Sequence, residues 1–227
     1  MSHLVMFDVD GTLTLSTEMD DCCYVQTMLE HLGVTIDNDW SRYRHVTDSG
    51  IAAELFDRHQ RSREEMAVVR NRFIELVKES LGADPNCCRQ VRGASSFLSR
   101  LRNTDGVEPS VATGGWAASA LAKLQHAALN VAGLAFASGD DAESRTAVMA
   151  LCHERAVALA NVDKFTTVTY VGDGTWDALA AGGLGWQFVG VGTGARAERL
   201  RSVGASHVVD DFSDQDAILD WLGIDIR

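Results

Sequence analysis

Asp8, Asp10, Asp173 and Asp177 each stand just after a short apolar run, as do Thr113 and Gly114, while Arg145 opens a helical pattern that follows another such run. Carboxylates gathered without a histidine or a thiolate suit a hard cation such as Mg2+. That ion takes oxygen ligands and usually keeps waters that a phosphate can replace. A hydroxyl, a glycine N–H and a guanidinium beside them suit an oxyanion. These residues can work together only if the runs before them end side by side.

The spacing of the runs predicts that they do. Residues 4–7, 107–112, 134–137, 168–171 and 188–191 are short apolar stretches, each closed by glycine or a small polar residue and followed by a helical pattern. Val148, Leu151, Cys152 and Leu159 mark one helical face. Strands alternating with helices imply a parallel sheet covered on both sides, in which ligands bind beyond the carboxyl ends of the strands. From Thr14 to Arg92 the rhythm changes and no strand signal appears. Val25, Met28, Leu29 and Leu32 mark one helix there, and Met66, Val69, Phe73 and Leu76 another. The expected organisation is a core of residues 1–15 and 90–227 with a helical insertion at 16–89, whose return is marked by Pro85.

With 20 Lys plus Arg against 32 Asp plus Glu, the 227-residue chain carries a formal charge of -12, which argues against nucleic acid or an anionic membrane as partner. No run of about 18 apolar residues occurs, so a spanning helix is not expected. The amino terminus lacks a basic segment followed by an apolar one, and cytoplasmic residence is the expectation. The five cysteines are odd in number and lack C-x2-C spacing; they read as buried or incidental thiols. Oligomeric state has no signature in the sequence.

The string DVDGTLT after LVMF resembles the first motif of the haloacid dehalogenase-like hydrolase superfamily, whose members are mostly phosphatases. SVATGG resembles its second motif and VTYVGDGTWD its fourth. Four fixed residues at roughly 5% usage each arise by chance in only about one in a thousand chains of this length. The resemblance implies a Rossmann-like doubly wound α/β core with an inserted helical cap domain. It implies Asp8 as the nucleophile that forms an aspartyl-phosphate. Asp10 would be the acid that protonates the leaving oxygen and then the base that activates water. Mg2+ would be held by Asp8, the backbone carbonyl of Asp10 and Asp173, with Asp177 as a further ligand or its support. Thr113, Gly114 and Arg145 would hold the phosphate. The substrate would be a small phosphorylated metabolite. The same residues serve a phosphomutase of the β-phosphoglucomutase type, and a non-catalytic phospho-accepting module is a more distant alternative that lacks an acid such as Asp10.

Several residues have a plainer reading beside the functional one. The family's third motif more often carries lysine than Arg145; the other candidate, Lys164, falls at the beginning of a strand and so at the wrong edge of the sheet. Thr113 with its glycines in isolation reads as a turn or a helix cap, and Asp173 equally as a cap or a ligand; in register with Asp8 they read as ligands. The stretch 190–195 approximates a G-x-G-x-x-A dinucleotide fingerprint, but too few strands follow it to build such a unit. Arg42, Arg44, Arg58, Arg61 and Arg63 give the insertion a locally positive segment suited to an anionic substrate, or equally a solvated helix face. HVTDSG, residues 45–50, resembles a cap loop facing the active site, and Asp48 is also a good helix N-cap. Trp176, inside the fourth motif, is placed either to contact substrate or to pack against the sheet, with packing the expectation.

Overall fold

A computed structural model of the chain describes residues 2–224. Strand β1 (His3–Phe7) leads into the two-residue β2 (Thr14–Leu15). Then come α1 (Thr17–Leu32), α2 (Asp48–Arg58) and α3 (Met66–Ala83), with short 3-10 turns at Trp40–Arg42 and Arg63–Glu65. The chain returns through β3 (Arg89–Gln90) and α4 (Ala94–Arg102). From there strands and helices alternate: β4 (Val107–Ala112), α5 (Ala117–His126), β5 (Ala135–Ala137), α6 (Arg145–Ala160), β6 (Thr167–Gly172), α7 (Thr175–Gly183), β7 (Gln187–Val191), α8 (Gly194–Ser202), β8 (His207–Val209) and α9 (Gln215–Leu222).

The six long strands form one parallel sheet in the order β5-β4-β1-β6-β7-β8. The chain winds outward from β1 to β5 on one side and then crosses to β6 on the other, so β1 sits at the topological switch, where such sheets open a crevice. The pleat of β1 explains its burial on both faces: Leu4 and Met6 join the cluster containing Tyr170, Val148 and Cys152, while Val5 and Phe7 join the cluster under α4 and α9. On that second face Phe7, Phe97 and Phe212 lie with ring centroids 5.4 to 6.2 Å apart. Pro109 is tolerated inside β4 because pairing with β5 begins only at Ser110.

The doubly wound parallel sheet is as expected, and the helical segment lies where the rhythm changed, but two details differ. The segment between Thr14 and Arg92 does contain strands. β2 and β3 pair antiparallel as a clasp at the stem of the insertion, each too short to show a period in sequence. Leu29 and Leu159 are 40% and 58% exposed. The buried face of α1 is carried by Met19, Cys23, Tyr24, Thr27 and Met28 instead, and that of α6 by Val148, Met149, Cys152 and Ala156. The insertion has no separate core: Tyr24 of α1 stacks on Trp116 at 5.9 Å, and Phe73 of α3 meets the same ring at 5.4 Å. Among the described residues no helix is long and apolar enough to cross a membrane. Cys23, Cys88 and Cys152 are buried, Cys87 is half-buried, Cys22 is exposed, and all five are free thiols.

Candidate active site

The turn after β1 fixes the first two carboxylates. Asp8 still belongs to the sheet, its N–H donating to Val171 O at 2.9 Å. The chain then doubles back: Thr14 N donates to Val9 O at 2.9 Å and Gly11 N to Thr14 O at 2.7 Å. Gly11 adopts φ +77°, and a Cβ there would lie 2.1 Å from Asp173 Oδ2, so only glycine serves on both counts. Because of this turn Asp8 and Asp10 diverge.

Asp8 is buried and faces Asp173 and Asp177, with one carboxylate oxygen from each lying within 4.8 Å of the others. Asp177 is fully buried in the first turn of α7, where its Oδ2 accepts from Gly174 N at 3.0 Å and so caps the helix. Its Oδ1 has no hydrogen-bond donor. Asp173 pairs with Arg196 Nη1 at 2.9 Å. Three oxygen donors converging from two strand ends, one of them without a hydrogen-bond partner, fit a hard divalent cation. Asp10 is not part of this trio by its side chain, which leaves its backbone carbonyl as the only donor it can offer there. Instead its Oδ1 accepts from Ser16 Oγ at 2.5 Å and its Oδ2 from Lys123 Nζ at 2.6 Å.

Arg145 stands in the first turn of α6, whose N-cap Ser144 accepts from Ala147 N. Its Nη1 donates to Asp8 Oδ1 at 3.0 Å, and its Nε lies 3.4 Å from Asp177 Oδ1, an ion pair without hydrogen-bond alignment. Lys164 is exposed beside Ser2, at the opposite end of the strands. Gly114 is pressed against the guanidinium, since a Cβ on it would meet Arg145 Nη2 at 2.7 Å. Thr113 is buried, and its Oγ1 accepts from Gly115 N at 3.1 Å. Of the turn and the helix cap that the sequence allowed, the Thr-Gly-Gly stretch forms the turn, ahead of α5, whose N-cap is Trp116.

Charge this concentrated is held reluctantly. Burial pushes the Asp8 carboxyl up to about 7, against the pull of Arg145 and with the help of Asp177 and Asp10. Asp173 and Asp177 are raised for the same first reason, opposed by Arg196 and Arg145 respectively. Burial disfavours the Arg145 cation, but Asp177 and Asp8 outweigh it and hold its pKa above the ordinary value.

A cavity of about 460 Å³ opens over these groups, lined on the sheet side by Asp8, Arg145 and Asp173 and on the insertion side by Tyr24, Trp40 and Asp48. Asp48 is not the N-cap of α2; Thr47 is, accepting from Gly50 N. Asp48 ties the insertion to the core, its N–H donating to Gly114 O at 2.8 Å and its Oδ2 accepting from Trp116 N at 2.8 Å. None of Arg42, Arg44, Arg58, Arg61 and Arg63 lines the cavity; Arg42, Arg58, Arg61 and Arg63 are engaged with Asp37, Glu54, Glu65 and Asp57. The expected positive approach comes instead from Arg196 and Arg199 of α8. Trp176 both packs over Gly174 and lines the cavity, with its Nε1 buried and unpartnered.

Two of these residues escaped sequence reasoning. In the sequence Lys123 is a polar interruption of an alanine-rich run, and Arg196 directly follows the stretch 190–195 that approximates a dinucleotide fingerprint. The one available signal was position: Lys123 shares the buried face of α5 with Ser119, Ala120 and Leu124.

An open parallel sheet with acidic groups at the carboxyl ends of its central strands β1 and β6 defines a doubly wound α/β protein with an acidic site at its topological switch. The family model described as Haloacid dehalogenase-like hydrolase matches residues 5–191, and the chain belongs to that family. Solved structures share the fold. A hydrolase from Pseudomonas syringae is 20% identical with a TM-score of 0.70, covering 97% of this chain and 99% of its own. A protein described as a candidate beta-phosphoglucomutase from Bacteroides vulgatus is 17% identical with a TM-score of 0.70, covering 98% and 89%. A predicted phosphoglycolate phosphatase from Haemophilus somnus 129pt is 18% identical with a TM-score of 0.64, covering 95% and 96%. No curated protein matches the sequence.

Proposed function

We propose that this protein is a Mg2+-dependent phosphatase of a small phosphorylated metabolite, acting through an aspartyl-phosphate on Asp8, with residues 16–89 as a cap over a core of 1–15 and 90–227. The observation that carries this reading is the approach of Asp173, Asp177 and the Arg145 guanidinium to one buried carboxylate. A carboxylate facing a phosphate dianion at about 4 Å is repelled by about 8 kcal/mol at an effective dielectric of about 20. Arg145 offsets part of that repulsion. Asp8, Asp173, Asp177 and the carbonyl of Asp10 would hold Mg2+, which when bound would supply two further positive charges and polarise the phosphoryl oxygens.

Asp8 then attacks phosphorus, the bond to the leaving oxygen breaks, and Asp10 gives that oxygen its proton. In the second half Asp10 takes a proton from the water that attacks the aspartyl-phosphate, restoring Asp8 and releasing phosphate. Thr113 and Gly114, against Arg145, are suited to hold the non-reacting oxygens.

The test is phosphate release from a panel of phosphorylated metabolites with Mg2+ present. Asp8→Asn is expected to abolish release while keeping the wild-type circular dichroism spectrum; an active Asp8→Asn protein removes the nucleophile. Isomerised glucose phosphate in place of free phosphate would make it a mutase.

A further inference from the structure

Lys123 has no part in the reaction described so far, yet its side chain is fully buried. Its ammonium lies 2.6 Å from Asp10 Oδ2 and 2.5 Å from Asp20 Oδ1. Three segments meet there: the loop after β1, the first turn of α1, and the second turn of α5. Burying an ammonium costs several kcal/mol, and an apolar side chain of similar volume would pack α5 against its neighbours at least as well. What an apolar residue could not do is hold a carboxylate. With Ser16 on Oδ1 and Lys123 on Oδ2, both oxygens of Asp10 are held, so its rotation is fixed from both sides.

We propose that Lys123 is the positioning residue of Asp10: anchored on Asp20 of α1, its ammonium fixes the orientation of the carboxyl group beside the leaving oxygen. The inference rests on the reading of Asp10 as the acid. A misplacement of about 1 Å can cost on the order of a hundredfold in rate. Because the same ammonium also grips Asp20, the acid is aligned only while α1 is seated. This gives the insertion a direct link to the reacting group.

The experiment compares kcat/KM for phenyl phosphate, whose leaving group needs a proton, with that for dinitrophenyl phosphate, whose leaving group departs without one. Lys123→Met is expected to lower the ratio of the two by about ten- to a hundredfold, a fraction of the full 10²–10⁴ of a general acid. A residue that only supports the fold would lower both rates alike. Lys123→Met strands two carboxylates, so the double variant Lys123→Met with Asp20→Asn, which keeps the net charge of the cluster, is measured beside it and is expected to show the same selective loss. Asp10→Asn is the reference. If it shifts the ratio while the Lys123 variants do not, the positioning role is overturned and the acid stands. If Asp10→Asn leaves the ratio unchanged, both fall together.

Discussion

The guanidinium of Arg145 donates to Asp8 across 3.0 Å while its Nε faces Asp177 at 3.4 Å, so one buried cation serves two buried carboxylates. Arg145→Ala is therefore expected to act twice. Leaving buried charges uncompensated costs about 3–5 kcal/mol, which at about 2–4 °C per kcal/mol is a large drop in Tm. On the proposed reaction, losing a preorganised cation beside phosphorus lowers kcat by about 10²–10³. Lys164→Ala, exposed at the far end of the strands, is expected to do neither. Thermal melts and phosphate release on the two variants decide it, and the reverse ranking would move the cationic role to Lys164.

Asp8, Asp173 and Asp177 repel one another, so a divalent cation binding among them is expected to stabilise the fold. Mg2+ at a hundredfold excess over its Kd adds about 2.7 kcal/mol. The expected result is a rise in Tm on adding Mg2+ to EDTA-treated protein, lost in Asp173→Asn, together with loss of turnover in excess EDTA that Mg2+ restores. A melt indifferent to Mg2+ would count against the site independently of any substrate.

Much of this site was legible in the sequence because short apolar runs ending in Asp8, Thr113 and Asp173 report strand ends directly, and a parallel sheet brings strand ends together. Arg145 was legible for a related reason, standing where a helix begins over the same edge. Lys123, Asp20 and Arg196 were not. Their partners lie on other elements, and nothing in a helix's own period tells a buried lysine from a solvated one. β2 and β3 were missed because two residues cannot display an alternation, and Leu29 and Leu159 were misread because a helical period gives a face without saying what covers it.

Burial raises the Asp8 and Asp20 carboxyls to about 7 from an ordinary value of 3.8. Below that ordinary value both the folded and unfolded chains hold these protons and stability is unaffected. Between it and about 7 the unfolded chain ionises first, so stability falls as pH rises, and it levels off above. Carboxyls with lowered values, such as Asp141 beside Arg155, add stability that is lost only at lower pH. Melts of the metal-free protein are therefore expected to show Tm falling from about pH 5 to about pH 7, with a shallower slope in Asp20→Asn. A Tm that climbs across this window would mean that Arg145 and Lys123 more than compensate for burial.

Gly11 is where the backbone and the acidic cluster constrain each other most tightly. Its φ of +77° is strained for any L side chain, at a cost of about 1 kcal/mol. A Cβ there would also lie 2.1 Å from Asp173 Oδ2, so either Asp173 or the turn that separates Asp8 from Asp10 has to move. Gly11→Ala is expected to lower Tm by a few degrees, since each kcal/mol is worth about 2–4 °C in a chain of this size. Displacing Asp173 is expected to weaken the Mg2+-dependent rise in Tm as well. Gly33 also has positive φ, but nothing lies within 4 Å of the Cβ position, so Gly33→Ala is expected to lower Tm and leave the Mg2+ response intact. If the two substitutions behave alike in both measurements, the close approach of Gly11 to Asp173 does not shape the site.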